Sequence, residues 1–122
     1  MDKIPRISEA EWEVMKVLWA RSPLGAHEVV EALARHTDWH HRTIRTLLSR
    51  LVKKGALAFS REGRAYLYRP RLAEKDCVKA VSESFLERVF GGALQPMLSH
   101  FVSQKKLSKR EIEDLKRILE EQ

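Results

Sequence analysis

Residues 39–57 read WHHRTIRTLLSRLVKKGAL, and this segment combines an apolar helix face with a basic one. Its apolar side chains recur at the spacing of a buried helix face; they are Ile44, Leu47, Leu48, Leu51 and Val52. Gly55 then stands where a helix often takes a left-handed C-terminal cap. The pattern predicts a helix that follows a short connection at residues 37–39 and runs to Lys54.

The opposite face of the predicted helix carries side chains suited to DNA. Arginine can donate two hydrogen bonds to guanine, and threonine offers a hydroxyl and a methyl group to base edges. In a helix-turn-helix, the second helix of the motif enters the major groove with its N-terminal residues against the bases. We therefore expect base or nearby phosphate contacts from Arg42, Thr43, Arg45 and Thr46, with Ser49 on the same stripe and Arg50, Lys53 and Lys54 on phosphates.

Two further helices are predicted upstream of this segment. Ser8 and Glu11 have the spacing of a capping box, and apolar residues at helical spacing after them predict a first helix over 8–21. Proline and glycine at 22–25 predict a break. A second helix is expected over 26–36. Three helices in this order are typical of the helical part of a winged helix-turn-helix.

A hairpin is predicted downstream. Residues 56–60 and 65–69 are short strand candidates, and Gly63 lies in the turn between them. The fold class is therefore mainly α with a small β-hairpin: an N-terminal winged helix-turn-helix followed by a C-terminal helical dimerisation segment. Arginines at the tip of such a wing suit phosphate or minor-groove contact. The wing residues that we assign to DNA are Arg61, Arg64 and Tyr66.

The charge of the chain is concentrated in one region. The net charge is +6, from 23 Lys and Arg against 17 Asp and Glu. Residues 39–71 hold nine basic side chains against Glu62 alone, whereas residues 72–122 hold nine of each sign. A concentrated positive charge favours association with a polyanion. We therefore predict a winged-helix DNA-binding domain at 1–71 and a neutral helical domain at 72–122.

The neutral domain contains three predicted amphipathic helices, which are too short to enclose much core alone. Their apolar faces can pack back onto the first domain or against a second copy. A second copy is favoured, because closed two-fold dimers are the commonest oligomers. The predicted dimerisation residues are Val78, Val81, Phe85, Val89, Leu94, Met97, Leu98, Phe101, Ile112, Leu115, Ile118 and Leu119.

Composition excludes several other classes. The single cysteine, Cys77, cannot form an internal disulfide. No apolar run approaches the ~20 residues that a membrane span needs, so direct membrane association is not expected. The N-terminus lacks the apolar stretch of a secretory signal, which indicates a cytoplasmic protein. We see no nucleophile–base pairing or glycine-rich phosphate loop and expect no enzyme and no cofactor.

A metal site formed by histidines is an alternative function that we considered. His36, His40 and His41 lie near Asp38, with His27 one helix away. A metal site needs three or four converging ligands, and adjacent histidines at a helix start point in different directions. We therefore expect surface or DNA-facing imidazoles and no metal.

The residues resemble the penicillinase-repressor family of bacterial transcription regulators, which includes the β-lactamase and methicillin-resistance repressors. The resemblance covers about residues 7–120. Its motifs are ISEAEWEVM at 7–15, the Trp39–Leu57 segment, Gly63-Arg64-x-Tyr66-x-Tyr68-x-Pro70, Phe90-Gly91-Gly92, and Leu107-Ser108 with Glu111-Ile112. It implies a homodimeric repressor with winged helices on double-stranded, palindromic operator DNA.

The resemblance also implies a release mechanism. In the family, a membrane sensor detects a β-lactam, and the signal ends in proteolysis of the repressor within its dimerisation segment, typically before a phenylalanine. The corresponding bond here is His100–Phe101. Many relatives carry asparagine before that phenylalanine, so His100 is a departure from the family pattern.

A different function class uses the same charge without reading bases. A non-specific nucleic-acid-binding or architectural module would need only the wing arginines and the lysines for phosphate contact. A sequence-specific repressor is expected to prefer a pseudo-palindrome, whereas a non-specific module is expected to bind any duplex equally.

Overall fold

The computed structural model describes residues 4–122, and residues 1–3 of the expected DNA-binding domain lie outside the described part. Within it, the elements in chain order are α1 (Glu9–Ala20), β1 (Leu24–Gly25), α2 (Ala26–Leu33), α3 (His41–Lys53), β2 (Leu57–Glu62), β3 (Ala65–Pro70), α4 (Glu74–Phe90), α5 (Leu94–Ser103) and α6 (Lys109–Glu120). The chain divides into two compact units, the first ending at Val78 and the second beginning at Lys79. The mainly α fold with a small hairpin is confirmed.

The helices of the first unit begin and end for local reasons. The capping box predicted for α1 is present, because the Ser8 hydroxyl accepts from the Glu11 N–H and the Glu11 carboxylate accepts from the Ser8 N–H. Helix α2 ends at Leu33, three residues before the predicted end. The Leu33 carbonyl there accepts from the N–H groups of His36 and Thr37 and from the Thr37 hydroxyl, which closes the helix in a turn.

The sheet has three antiparallel strands in the order β1-β3-β2, one more than the predicted hairpin. Gly63 and Arg64 form the turn between Glu62 and Ala65, and Gly63 takes a φ of 65° that favours glycine. Helix α1 ends at Ala20, before the break predicted at residues 22–25, but the sequence analysis did not predict that Leu24 pairs with Tyr68 of β3. A strand of two residues is too short to show an alternating pattern, so only the long-range pairing reveals it.

One apolar core holds the first unit together. Its buried side chains come from α1, α2, α3, β1, β2 and the residue before β2: Val14, Met15, Leu18, Leu24, Val29, Leu33, Ile44, Leu47, Leu48, Leu51, Ala56 and Leu57. Each fully buried Leu or Ile contributes about 1.5–3 kcal/mol relative to exposure. The apolar face of α3 supplies four of these residues, so the core fixes which face of α3 meets the solvent.

The first unit extends beyond Arg71, where we expected the DNA-binding domain to end. The indole N–H of Trp19 donates to the Leu72 carbonyl at 2.9 Å, and Leu72 packs against the core. Cys77, in the first turns of α4, is fully buried. These contacts bring the start of α4 into the first unit.

The second unit is built from the rest of α4 with α5 and α6. Gly91 and Gly92 both take positive φ angles where α4 ends. The capping box predicted at Ser108 and Glu111 is present at the start of α6. Pro96 lies in the first turn of α5, where its missing N–H costs nothing. No residue of α5 or α6 is buried within the described chain.

Candidate nucleic-acid interface

Helix α3 presents one continuous polar face to solvent. Seven of the eight side chains that the sequence analysis assigned to DNA in this segment are exposed along it: Arg42, Thr43, Arg45, Thr46, Ser49, Arg50 and Lys53. Five of them, from Arg45 to Lys53, line a shallow open depression of about 390 Å³. Because Ile44, Leu47, Leu48 and Leu51 are buried, the helix cannot turn this face inward without exposing its core side. The structure therefore brings the predicted α3 residues together on one surface.

The charges on this face are uncompensated. Helix α3 contains no acidic residue. Arg42, Arg45, Arg50 and Lys53 take part in none of the ion pairs found within residues 4–122. Four like charges on one face repel one another, and neutralising phosphates would relieve that repulsion. The guanidinium groups are free to donate to an external acceptor.

The N-terminus of α3 is held by a residue that the sequence did not single out for this role. His40 is the N-cap, and its Nδ1 accepts from the Arg42 N–H at 3.1 Å. The His40 and His41 rings lie 4.2 Å apart. One turn further on, the Thr46 hydroxyl donates to the Arg42 carbonyl at 2.9 Å, which leaves its methyl group and its acceptor lone pairs for other contacts. Histidine is not among the preferred N-cap residues, so the cap could not be predicted from residue type.

The structure contradicts the expectation that Lys54 contacts a DNA phosphate. Its ammonium donates to the Glu11 carboxylate at 2.5 Å and to the Arg6 carbonyl at 2.8 Å. Only 34% of the side chain is exposed. Because its charge is already neutralised inside the protein, Lys54 is not part of the candidate interface.

The wing adds a second basic and aromatic surface. Arg61 lies directly across from Tyr66 in the sheet, with its guanidinium 6.0 Å from the tyrosine ring centre, and its Nε donates to the Gly63 carbonyl at 3.1 Å. Arg64 is exposed in the turn. Tyr66 is 47% exposed, whereas Tyr68 packs against the core.

Phe59 is a wing residue that the sequence analysis did not assign. It is 52% exposed, and its ring meets Tyr66 edge to face at 5.3 Å. Phe59 shares a sheet face with the buried Leu57. The alternating strand pattern was the available signal, but it predicts the core side of the sheet and cannot show that the core ends before Phe59.

The histidine cluster does not assemble a metal site in the part of the chain that is described. His40 caps α3, and His27 pairs with Glu31 at 2.8 Å. Among residues 4–122, no three side chains of His, Cys, Asp or Glu converge as metal ligands would.

No helix in the described part of the chain is both long and apolar enough to cross a bilayer.

The predicted dimerisation residues lie on partly or fully solvent-facing sides of α4, α5 and α6. Exposed members are Val78, Val81, Phe85, Val89, Leu94, Phe101, Ile118 and Leu119, and Val102 is a further one that we had not assigned. Half-buried members are Met97, Leu98, Ile112 and Leu115. His100 and Phe101 lie within α5, with their rings 5.2 Å apart.

Comparison with known proteins identifies the family. A family model described as penicillinase repressor matches residues 7–121. The chain belongs to the penicillinase repressor family. The resemblance seen in the sequence is thereby confirmed, and this member of the penicillinase repressor family is a repressor and not an enzyme.

Individual relatives match almost end to end. The chain is 46% identical over 121 residues to the penicillinase repressor of Bacillus licheniformis, covering 99% of this chain and 94% of that one. It is 35% identical over 118 residues to the methicillin resistance regulatory protein MecI of Staphylococcus aureus (strain N315), covering 97% of this chain and 96% of that one.

Solved structures match the DNA-binding part. The solution structure of the DNA-binding domain of the repressor BlaI aligns with a TM-score of 0.56 at 49% identity, covering 62% of this chain and 93% of that one. The monomeric form of Bacillus licheniformis BlaI in complex with the blaP half-operator aligns with a TM-score of 0.54, at the same identity and coverage. The winged-helix fold is therefore confirmed.

Proposed function

We propose that this penicillinase-repressor family member represses transcription as a homodimer on a pseudo-palindromic DNA operator. Helix α3 of each protomer enters the major groove of one half-site. The observation that carries the proposal is the exposed face of α3, where four cations without an ion-pair partner and three hydroxyl side chains lie together on a helix that has no acidic residue. The relative solved on a half-operator supports the same use of the fold.

The α3 residues divide into base readers and phosphate contacts by their position. Arg42, Thr43, Arg45 and Thr46 lie in the first half of α3, which enters the groove deepest. A bidentate arginine–guanine contact contributes about 1–3 kcal/mol of discrimination. Ser49, Arg50 and Lys53 follow on the same face and reach the backbone. Operator specificity thus depends on the first half of α3.

The wing supplies affinity without much sequence choice. Arg61 and Arg64 at its tip contact phosphate or enter the minor groove, and Tyr66 donates its hydroxyl to the backbone. The Gly63 carbonyl and the Tyr66 ring restrain Arg61 before DNA is bound. Less side-chain freedom is then lost on binding.

The homodimer forms through the apolar faces of α4, α5 and α6. Their large side chains are exposed in one copy of the chain, and a second copy related by a two-fold axis would cover them. Linking two DNA-binding units raises the effective concentration at the second half-site, which strengthens binding by about 10²–10⁴. Dimerisation and operator affinity are therefore coupled.

Release follows from cutting that link. A membrane sensor-protease pathway responding to β-lactam or cell-wall stress would lead to cleavage between His100 and Phe101, in the cytoplasm and without direct membrane association of the repressor. The bond lies inside α5, where the His100 carbonyl accepts from the Ser103 hydroxyl at 2.8 Å and from the Gln104 N–H at 3.2 Å. The end of α5 must unfold locally before a protease can bind it extended.

A salt titration on two duplexes tests the proposal. One duplex is enriched by the chain from a random library, and the other is a scrambled sequence of the same length and composition. We expect the enriched duplex to contain two inverted half-sites about one helical turn, or a multiple, apart and to bind far more tightly. Equal affinity for both duplexes at every salt concentration would instead show a non-specific or architectural module.

A further inference from the structure

Glu11 is the one charged side chain that is buried among the described residues. Its side chain is 2% exposed, and its Oε1 accepts from the Ser8 N–H at 2.8 Å and from the Lys54 ammonium. Burial alone raises the pKa of Glu11. The hydrogen bonds from Lys54 and Ser8 outweigh burial, so the pKa lies below its ordinary value of 4.5. Glu11 is therefore ionised at neutral pH and paired with Lys54.

The pair joins two elements that are far apart in sequence. Glu11 lies in the first turn of α1, and Lys54 is the C-cap residue of α3. Lys54 also donates to the Arg6 carbonyl, which ties the segment before α1 to the same point. The end of α3 is thus fixed to the start of α1 by directional bonds.

The other contacts of α3 with the core are not directional. Ile44, Leu47, Leu48 and Leu51 pack through apolar surface, and hydrophobic burial has no preferred angle. A helix held only in this way can roll or slide by small amounts. A charge-assisted hydrogen bond has a preferred length and angle and resists such movement.

We propose that Glu11 and Lys54 are positioning residues that set the direction of α3 and thereby the sequence specificity of DNA binding. This inference rests on the proposed function. Base contacts need side chains placed within about 0.5 Å, because the hydrogen-bond partners are fixed on the base edges. Phosphate contacts from long, flexible side chains tolerate larger shifts. Loss of the pair therefore weakens specific binding more than non-specific binding.

The neighbouring lysine provides a matched control. Lys53 has the same charge as Lys54 and lies one residue away, but it is exposed on the candidate interface. A lysine that neutralises a phosphate contributes about 0.9 to the slope of log affinity against log salt. Lys53→Met should therefore lower that slope by about 0.9 for each bound protomer. Lys54→Met should leave the slope unchanged.

The experiment measures two affinities of the full chain across a salt series, on the enriched duplex and on its scrambled counterpart. The ratio of these affinities is the readout, because global unfolding lowers both by the same factor and leaves the ratio unchanged. Lys54→Met and Glu11→Gln should each lower the ratio at least about fivefold, the value of one lost base contact. Glu11→Gln gives a second, nearly isosteric variant whose amide oxygen can still accept from the Ser8 N–H.

Three results would overturn the inference. A lower salt slope for Lys54→Met, like that of Lys53→Met, would show a direct phosphate contact. An unchanged affinity ratio in both Lys54→Met and Glu11→Gln would show that the pair is only structural, with the proposed function intact. A wild-type chain without preference between the duplexes would contradict the proposed function and this inference together.

Discussion

The two units of the chain use their apolar side chains in opposite ways. The first unit buries twelve of them in one core built from α1, α2, α3 and the strands. In the described residues, eight of the eleven large apolar side chains that are exposed lie in the second unit, and α5 and α6 bury none. The first unit has a core of its own, whereas the second exposes the surface that a partner would cover.

The difference shows that amphipathic helices can either bury their apolar faces in a core of their own or leave them exposed. Both units have amphipathic helices with capping boxes, so their local sequence signals are alike. In the first unit, α1 and α2 both pack against α3, and β2 packs against it as well. Three short helices in the second unit cannot surround one another. Self-association supplies the missing surface under the proposed function.

The largest expected effect comes from charging the second unit's apolar surface. Phe85→Asp should convert the dimer to monomers and weaken operator binding by about 10²–10⁴, because the second half-site loses its effective concentration. Sedimentation equilibrium and binding to the enriched duplex measure the two effects. Ser84→Asp adds the same charge one residue away and should change neither. A Phe85→Asp chain that stays dimeric would exclude this face of α4 from the dimer contact.

Truncating an apolar side chain should have a different effect in each unit. The loss of stability should be independent of protein concentration in the first unit and should depend on it in the second. Leu48→Ala removes a fully buried side chain of α3 and should cost about 2–5 kcal/mol of unfolding free energy in the first unit, at any protein concentration. Leu119→Ala changes an exposed residue of α6. Its cost should appear as a loss of dimer stability that depends on concentration. Chemical denaturation over a range of protein concentrations makes the comparison, and two concentration-independent results would contradict it.

Lowering the pH should remove the stability that ionised Glu11 contributes to the first unit. The hydrogen bonds to Glu11 hold its pKa below 4.5, so its ionised form stabilises the fold above that pH and the benefit is lost as pH falls through the lowered pKa. Wild type should exceed Glu11→Gln in unfolding free energy by about 1–3 kcal/mol near neutral pH, and the gap should shrink below pH 4.5.

A matched carboxylate controls for general acid effects. Glu9 lies in the same turn of α1 but is exposed. Glu9→Gln should lower the unfolding free energy only slightly. The difference in unfolding free energy between wild type and Glu9→Gln, measured by urea denaturation across pH, should not shrink in acid as it does for Glu11→Gln. A pH-independent gap for Glu11→Gln would mean that the ion pair contributes nothing beyond the shape of the side chain.

The smallest expected effect lies in the link between α5 and α6. Lys105 takes a φ of 56°, in the left-handed region that costs a residue with a side chain about 1–2 kcal/mol. Lys105→Gly should therefore raise the melting temperature of the second unit slightly. Lys106→Gly, without such strain to relieve, should lower it. Calorimetry measures both, and equal shifts would contradict the argument.

Local signals in the sequence were sufficient for most of the fold. The apolar spacing of Ile44, Leu47, Leu48 and Leu51 predicted both the extent of α3 and the face that it buries. Gly63 marked the hairpin turn, and the α3 residues assigned to DNA lie together on one surface, except Lys54. Each of these features depends on residues close together in the chain.

Long-range contacts account for what was missed. The pairing of Leu24 with Tyr68, the bond from Trp19 to Leu72, and the ion pair between Glu11 and Lys54 each join residues more than forty positions apart. Lys53 and Lys54 are adjacent and carry the same charge, and only the fold shows that Lys54 lies beside the buried Glu11 carboxylate. Periodicity locates a helix face but not its neighbours.

The central claim is that the N-terminal half of α3 reads base edges, and the double variant Arg42→Ala/Arg45→Ala tests it most directly. The account predicts that its preference for the enriched over the scrambled duplex falls at least about tenfold. The wing variant Arg61→Ala/Arg64→Ala should lower the salt slope and keep most of the preference. An unchanged preference in the Arg42→Ala/Arg45→Ala chain, with only a lower salt slope, would contradict the account.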